Sequence, residues 1–402
     1  MNYGAYIQVP FCQTKCTYCN FHTGVVSPSR YSSYADAVCR EIADFQDPSG
    51  GPGTFAATSA ATSAPAAVDT VYFGGGTPSL LEPAALAKIL DALRRRFRWQ
   101  AGEVTLEADP ETINAEKADA WRAAGFDRIS LGAQSFDDQE LKAAGRMHRA
   151  ADVSRAVNFL RSAGLPNISI DLIAGLPHQT AETWENSVSE LLRLRPEHVS
   201  VYLLEIDEGS RLGKESLAGG SRYSAGAIPA DDDMADFYES ACKRLASAGY
   251  EHYEISNWAL PGRRSLHNLK YWRRDPYLGF GAGAHSFAYS EADPQRWANI
   301  HDSARYVAMI EQGLSPREQM ESVSPEQAFE EELFLGLRQL EGIDVAAIER
   351  KYGEAMSGRF ADCRRRISNL REQGLVEFDG ARLRLAPDRI AISNEVFVEL
   401  LG

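Results

Sequence analysis

Strand and helix signals alternate six times within the first two hundred or so residues, and that alternation confines the chain to a parallel α/β architecture. Short apolar or alternating runs at 5–9, 69–73, 103–107, 128–131, 168–172 and 199–203 read as strands. Between them, 30–46, 83–98, 114–124, 151–163 and 180–193 carry helical spacing. In the first of these Tyr34, Val38, Ile42 and Phe45 share one face, with Ser29 as the expected N-cap. Period alone does not separate an open doubly wound sheet from a partial barrel.

The alternation is interrupted once. Residues 47–67 turn to Gly, Pro, Ser, Thr and Ala, with Phe55 the single large apolar side chain. Such a segment buries too little to offset its ordering entropy, so it is expected to be a disordered insertion. The remaining chain divides into 1–215, a following segment 216–320, and a separate unit over 325–402. That last unit shows helical stretches at 326–339, 345–352 and 359–373. A hairpin then turns at Asp379-Gly380, a winged-helix-like α+β pattern.

Formal charge is −14, which argues against general nucleic-acid binding, where phosphate contacts dominate affinity. No apolar run approaches the roughly 20 residues of a membrane span, and no signal peptide is read before the first cysteines. Cys39, Cys242 and Cys363 are scattered, whereas Cys12, Cys16 and Cys19 cluster. That usage belongs to a reducing compartment, so the expected location is cytoplasmic or peripheral at a membrane.

The cluster carries the chemistry. Cys12-x3-Cys16-x2-Cys19 offers three thiolates, one short of the four that Fe–S clusters normally take. Either an outside ligand fills the last corner, or His22 completes a zinc site, or the three are buried structural thiols. Gly74-Gly75-Gly76-Thr77-Pro78-Ser79 follows the second strand, where absent Cβ atoms let backbone approach a ligand closely. It has neither the P-loop lysine nor the dinucleotide glycine spacing. Glu107, Gln134 and Asp171 stand at or near strand ends, and an acid within an apolar run is costly unless paired or liganded. Arg146 offers a planar fork for a carboxylate, and His148 is read as structural.

The cysteine spacing, with Tyr18 before the last thiol, resembles the radical S-adenosylmethionine (SAM) enzymes. That resemblance implies a partial (βα)6 barrel and a 4Fe–4S cluster on Cys12, Cys16 and Cys19. It also implies that SAM chelates the fourth iron and yields a 5′-deoxyadenosyl radical on reduction. Within the superfamily the chain is similar, from Tyr6 nearly to its end, to oxygen-independent coproporphyrinogen III dehydrogenases and HemW-type haem chaperones. By that match Tyr6, Gly75 and Glu107 contact the cluster-bound SAM, while Tyr18, Gly76, Thr77, Gln134, Arg146 and Asp171 line the adjoining pocket.

Three features lean to the chaperone branch. Phe21 follows Asn20 where the dehydrogenases carry a fourth cysteine. Only five residues precede Tyr6, where the dehydrogenases have an extension. Finally, His267-Asn268-Leu269-Lys270-Tyr271-Trp272 matches the chaperones' H-N-x-x-Y-W motif, making His267, Asn268, Tyr271 and Trp272 the haem-binding candidates. The function this implies is haem binding and delivery to respiratory haem proteins, with a flavodoxin or ferredoxin as electron donor. The alternative is oxidative decarboxylation of coproporphyrinogen III.

Overall fold

Six strands enter one sheet in the order in which they occur along the chain. In the computed structural model, which describes residues 2–46, 66–289, 294–353 and 356–401, they are β1 (Asn2–Val9), β2 (Ala67–Gly75), β3 (Arg98–Ala108), β4 (Arg128–Gln134), β5 (Asn167–Ala174) and β6 (His198–Leu203). Every neighbouring pair is parallel. Parallel crossovers are right-handed, so without a reversal of strand order all the crossover helices fall on one face. A doubly wound sheet needs that reversal. The architecture is therefore the partial barrel, and the residues alternate to match. Ile7, Val71, Phe73, Leu106, Leu131, Ile170, Leu172 and Val201 are buried in the main apolar core with the helices. Their neighbours Tyr6, Tyr72, Glu107, Ser130, Asp171 and Tyr202 face the opposite, inner side, where two cavities lie.

The barrel does not close, because other strands occupy both edges. β7 (Glu251–Glu254) and β8 (Asn257–Ala259) continue antiparallel beyond β6. On the other side β9 (Tyr277–Phe280) runs parallel to β1, followed by the antiparallel β10 (His285–Tyr289), β11 (Pro294–Asn299) and β12 (Arg317–Ser322). The result is one 12-stranded sheet.

Several element limits differ from the sequence reading. Ala67 is the first residue of β2, paired with Asn2 and buried, so it leaves the expected insertion; 47–65 lie outside the described residues. Ser29 is not the cap of the first helix, Tyr31–Asp44. It sits inside a 3-10 turn, Pro28–Arg30, whose preceding Ser27 side chain accepts the Ser29 N–H. The helix Pro83–Arg96 stops short because Arg98 already pairs with Ala67.

The C-terminal unit packs helices Pro325–Leu337, Val345–Tyr352, Ser357–Glu372 and Ser393–Leu401 with a small antiparallel sheet. That sheet is β13 (Ile343–Asp344), β15 (Arg382–Leu385) and β14 (Val376–Phe378), with β15 in the middle. The hairpin turns at Asp379-Gly380: the Asp379 carboxylate accepts the N–H groups of Ala381 and Arg382, and Gly380 has φ of 97°. The unit is tied to the barrel where Ile255 N–H donates to Arg338 O and Leu340 N–H to Tyr253 O. Arg274 adds a buried ion pair to Glu331 at 2.6 Å.

Candidate functional site

The cysteine loop begins at Pro10, just after β1, and is closed at its base by backbone. Gly24 N–H donates to Pro10 O and Cys12 N–H to Gly24 O. Midway, Thr17 N–H donates to Ala144 O, and Thr17 O accepts from Leu212. The glycine stretch secures the near side, with Gly76 N–H donating to Val9 O and Thr77 N–H to Phe11 O. A Cβ on Gly76 would stand 2.4 Å from Phe11 O and 3.0 Å from Cys12 Sγ. Glycine at 76 is thus what allows the two loops to touch.

Cys12, Cys16 and Cys19 all open onto a cavity of about 600 Å³. Burial pushes the thiols of Cys12 and Cys19 up, so for those two a bound metal would have to supply the charge that compensates deprotonation. Among the described residues no three His, Cys, Asp or Glu side chains converge as a single ion requires. His22, the zinc alternative's fourth ligand, instead lies against His301, with the rings tilted by 36° and their centroids 4.3 Å apart. Three thiols on one cavity suit a polynuclear cluster, whose irons each take their own thiolate.

The same cavity gathers Tyr18, Gly75, Gly76, Thr77, Glu107, Gln134, Arg146 and Asp171, eight of the nine residues expected around SAM. Glu107 accepts from Tyr72 OH at 2.8 Å and from Gly75 N–H at 3.1 Å, fixing the edge of the glycine loop. Burial raises the Glu107 carboxyl to about 7 and that of Asp171 to about 6. Ser130 donates to Asp171 at 3.3 Å. Gln134 holds φ of 67°, a strained setting for a side chain with a Cβ. Tyr6 is the ninth. It lies on β1 opposite Tyr72, donating to Gln8 at 2.8 Å, and lines the neighbouring cavity.

A residue of the first cavity escaped the sequence reading. Asp109, two positions after Glu107, is the carboxylate that pairs with one terminal nitrogen of Arg146; it also accepts from Thr77 Oγ1 at 2.9 Å. Arg146 completes the network with Gly132 O at 2.8 Å and Cys16 Sγ at 3.5 Å. The signal was present in Glu107-Ala-Asp-Pro110, but period places residues 107 and 109 alike and does not say which meets the arginine. His148 is buried, its Nε2 3.0 Å from Ala133 O, as a structural residue would be.

A second cavity of about 510 Å³ adjoins the first, sharing Glu107, Tyr202, Leu203 and Glu205 as common wall. Asn268, Tyr271 and Trp272 line it, on the helix Leu266–Trp272. His267 does not line it. The imidazole is 1% exposed, with Nδ1 2.9 Å from Thr70 Oγ1 and Nε2 3.0 Å from Tyr271 OH. Burial lowers its pKa to about 3, so it is neutral. With both nitrogens engaged, it would have to release Tyr271 before meeting a metal. The helix is held at its start by Glu103, a residue given no role from the sequence, which accepts the N–H groups of Leu266 and His267 at 3.0 and 3.1 Å.

A sequential parallel barrel with three thiols beside a glycine loop defines a radical SAM protein. Residues 6–191 match the radical SAM superfamily and residues 323–388 the HemN C-terminal domain. The chain is 33% identical over 400 residues to the heme chaperone HemW of Bacillus subtilis, covering 99% of each chain. It is 31% identical to radical S-adenosyl methionine domain-containing protein 1, mitochondrial, of Bos taurus, covering 99% of this chain and 87% of that one. Coproporphyrinogen III oxidase HemN of Escherichia coli superposes with a TM-score of 0.81 at 22% identity, over 99% of this chain and 89% of that one. The chain belongs to the HemW family of the radical SAM superfamily. Among the described residues no helix is long and apolar enough to cross a membrane.

Proposed function

We propose that this protein binds a 4Fe–4S cluster on Cys12, Cys16 and Cys19, SAM in the first cavity and haem in the second, and that it hands haem to respiratory haem proteins. The reading includes a cytoplasmic or membrane-peripheral location and reduction by a flavodoxin or ferredoxin. The observation that carries it is the end-to-end relation to a protein named as a heme chaperone. The second cavity supports it: Tyr271 and Trp272 supply flat apolar surface within a pocket of ligand size. Cys12, Cys16 and Cys19 would hold the cluster with one iron left open to SAM, and the chemistry supplied there would be one-electron reduction of the sulfonium. Around it, Gly75 and Glu107 orient the methionyl end. Arg146, near Cys16 Sγ, adds positive charge beside the thiolates.

The competing reading, oxygen-independent coproporphyrinogen III oxidase, draws on the eight expected SAM residues gathered around the first cavity. One experiment separates the two. Anaerobically reconstituted protein is titrated with haem by absorbance and, in parallel, assayed for decarboxylation of coproporphyrinogen III. We expect haem binding without turnover; robust decarboxylation overturns the assignment. His267→Ala should weaken haem binding. An altered Soret band and EPR signal would assign His267 to the iron, while a change in affinity alone would assign it to holding Tyr271.

A further inference from the structure

The barrel alone does not enclose the second cavity. Ile390, Ala391, Ser393 and Asn394 of the C-terminal unit form part of its wall, as does Arg338 at the end of the helix Pro325–Leu337. Among the lining residues Arg338 is the single cation; the other charged groups are Glu107, Glu205 and Glu254. The Arg338 guanidinium forms no hydrogen bond or ion pair among the described residues, and its Nε is buried without a partner. It lies over the Trp272 ring, 4.5 Å from the centroid, and Trp272 Nε1 is likewise buried and unpartnered. Glu254 is fully buried and feels the charge of Arg338, yet its Oε1 takes the Asn257 amide and its Oε2 has no partner.

Buried donors are nearly always paired. Two orphaned donors on adjacent lining side chains mark the place of an acceptor that a ligand brings. Stacking on the indole holds the guanidinium plane, leaving the fork that suits a bidentate carboxylate. Ser393 and Asn394 stand in the first turn of Ser393–Leu401, at the end of a helix that favours negative charge.

We propose that Arg338, braced by Trp272 and assisted by the first turn of the last helix, is the carboxylate anchor of the second cavity. This deepens the haem reading and rests on it, since haem carries two propionates. The anchor also sets the ligand's orientation. The acidic edge is held by the C-terminal unit, and the rest of the molecule lies along Tyr271 toward the Glu107 wall shared with the first cavity. No other lining residue offers that edge a positive charge.

The test compares haem with its dimethyl ester on reconstituted full-length protein. Wild type should prefer the free acid, and Arg338→Gln should weaken haem binding by about 10- to 100-fold while leaving the ester's affinity unchanged. Arg338→Lys should recover part of the preference. Unchanged cluster absorbance and thermal midpoint serve as the folding control. If Arg338→Gln still discriminates acid from ester, the anchor is wrong while the haem reading stands. If wild type binds neither compound, both fall.

Discussion

Single residues set the tightest tolerances around the cluster loop. Gly76→Ala would drive a methyl group into Phe11 O and Cys12 Sγ, so it should displace the loop and lower iron and sulfide content after reconstitution, with far-UV circular dichroism unchanged. Gly75 differs in kind. Its φ is 112° and a Cβ would meet the Gln8 side chain at 2.5 Å. A valine there strains the backbone as well as the pocket and is a poor probe of SAM contact alone. Glu107 offers a pH test. Burial raises its pKa from 4.5 to about 7, so between those values the folded state holds a proton that the unfolded chain has lost. Its contribution is fully present below about pH 4.5 and is lost as pH rises through 7. Relative to wild type, apo Glu107→Gln should therefore gain in thermal midpoint from pH 5 to pH 8. A difference independent of pH would show that Glu107 titrates normally.

At the scale of elements, the helix Leu266–Trp272 deserves a test separate from the groups it presents. Its first N–H groups and the Ser265 hydroxyl rest on Glu103, whose other partner is the 1% exposed Arg128 at 3.4 Å. Breaking a buried pair strands the remaining charge, which costs about 3–5 kcal/mol. Glu103→Ala should lose stability of that order in urea unfolding. It should also weaken haem binding, although Glu103 lines neither cavity. Retained haem affinity in a destabilised variant would mean that Asn268, Tyr271 and Trp272 are positioned by other contacts.

Across the whole molecule, the C-terminal unit is coupled to the barrel through polar links that include the ion pairs of Arg274 and Arg296. Arg274 is 5% exposed, donates to Glu331 at 2.6 Å and lies 4.8 Å from the Phe287 ring centroid. Arg296 shares Glu331 at 2.7 Å. Arg274→Met leaves Glu331 with one partner and partial solvent access, so the loss should be smaller than for a fully buried pair, about 2 kcal/mol. We expect faster proteolytic cleavage near 323 and a parallel fall in haem affinity, because the Arg338 wall recedes. Faster cleavage with unchanged haem binding would show that the barrel face suffices.

Much of this was written locally. Six periodic strands with intervening helices, the Cys12-x3-Cys16-x2-Cys19 spacing and the glycines at 74–76 each act within a few residues, so sequence alone determined the parallel α/β class, the thiol set and the loop beside it. Local pattern also placed the Asp379-Gly380 turn. Pairings between distant segments were a different matter. Strand order, which excludes the doubly wound sheet, depends on which edges meet, and β10 to β12 join the sheet through partners that no period announces. Asp109, rather than Glu107 or Asp171, meets Arg146 because the end of β3 lies beside the loop after β4. His267 and Trp272 read as equals in one motif, yet packing against Thr70 buries the first while Arg338 covers the second at a cavity wall. Only the tertiary structure could decide these, because each depends on side chains scores or hundreds of residues apart being brought to within hydrogen-bond reach.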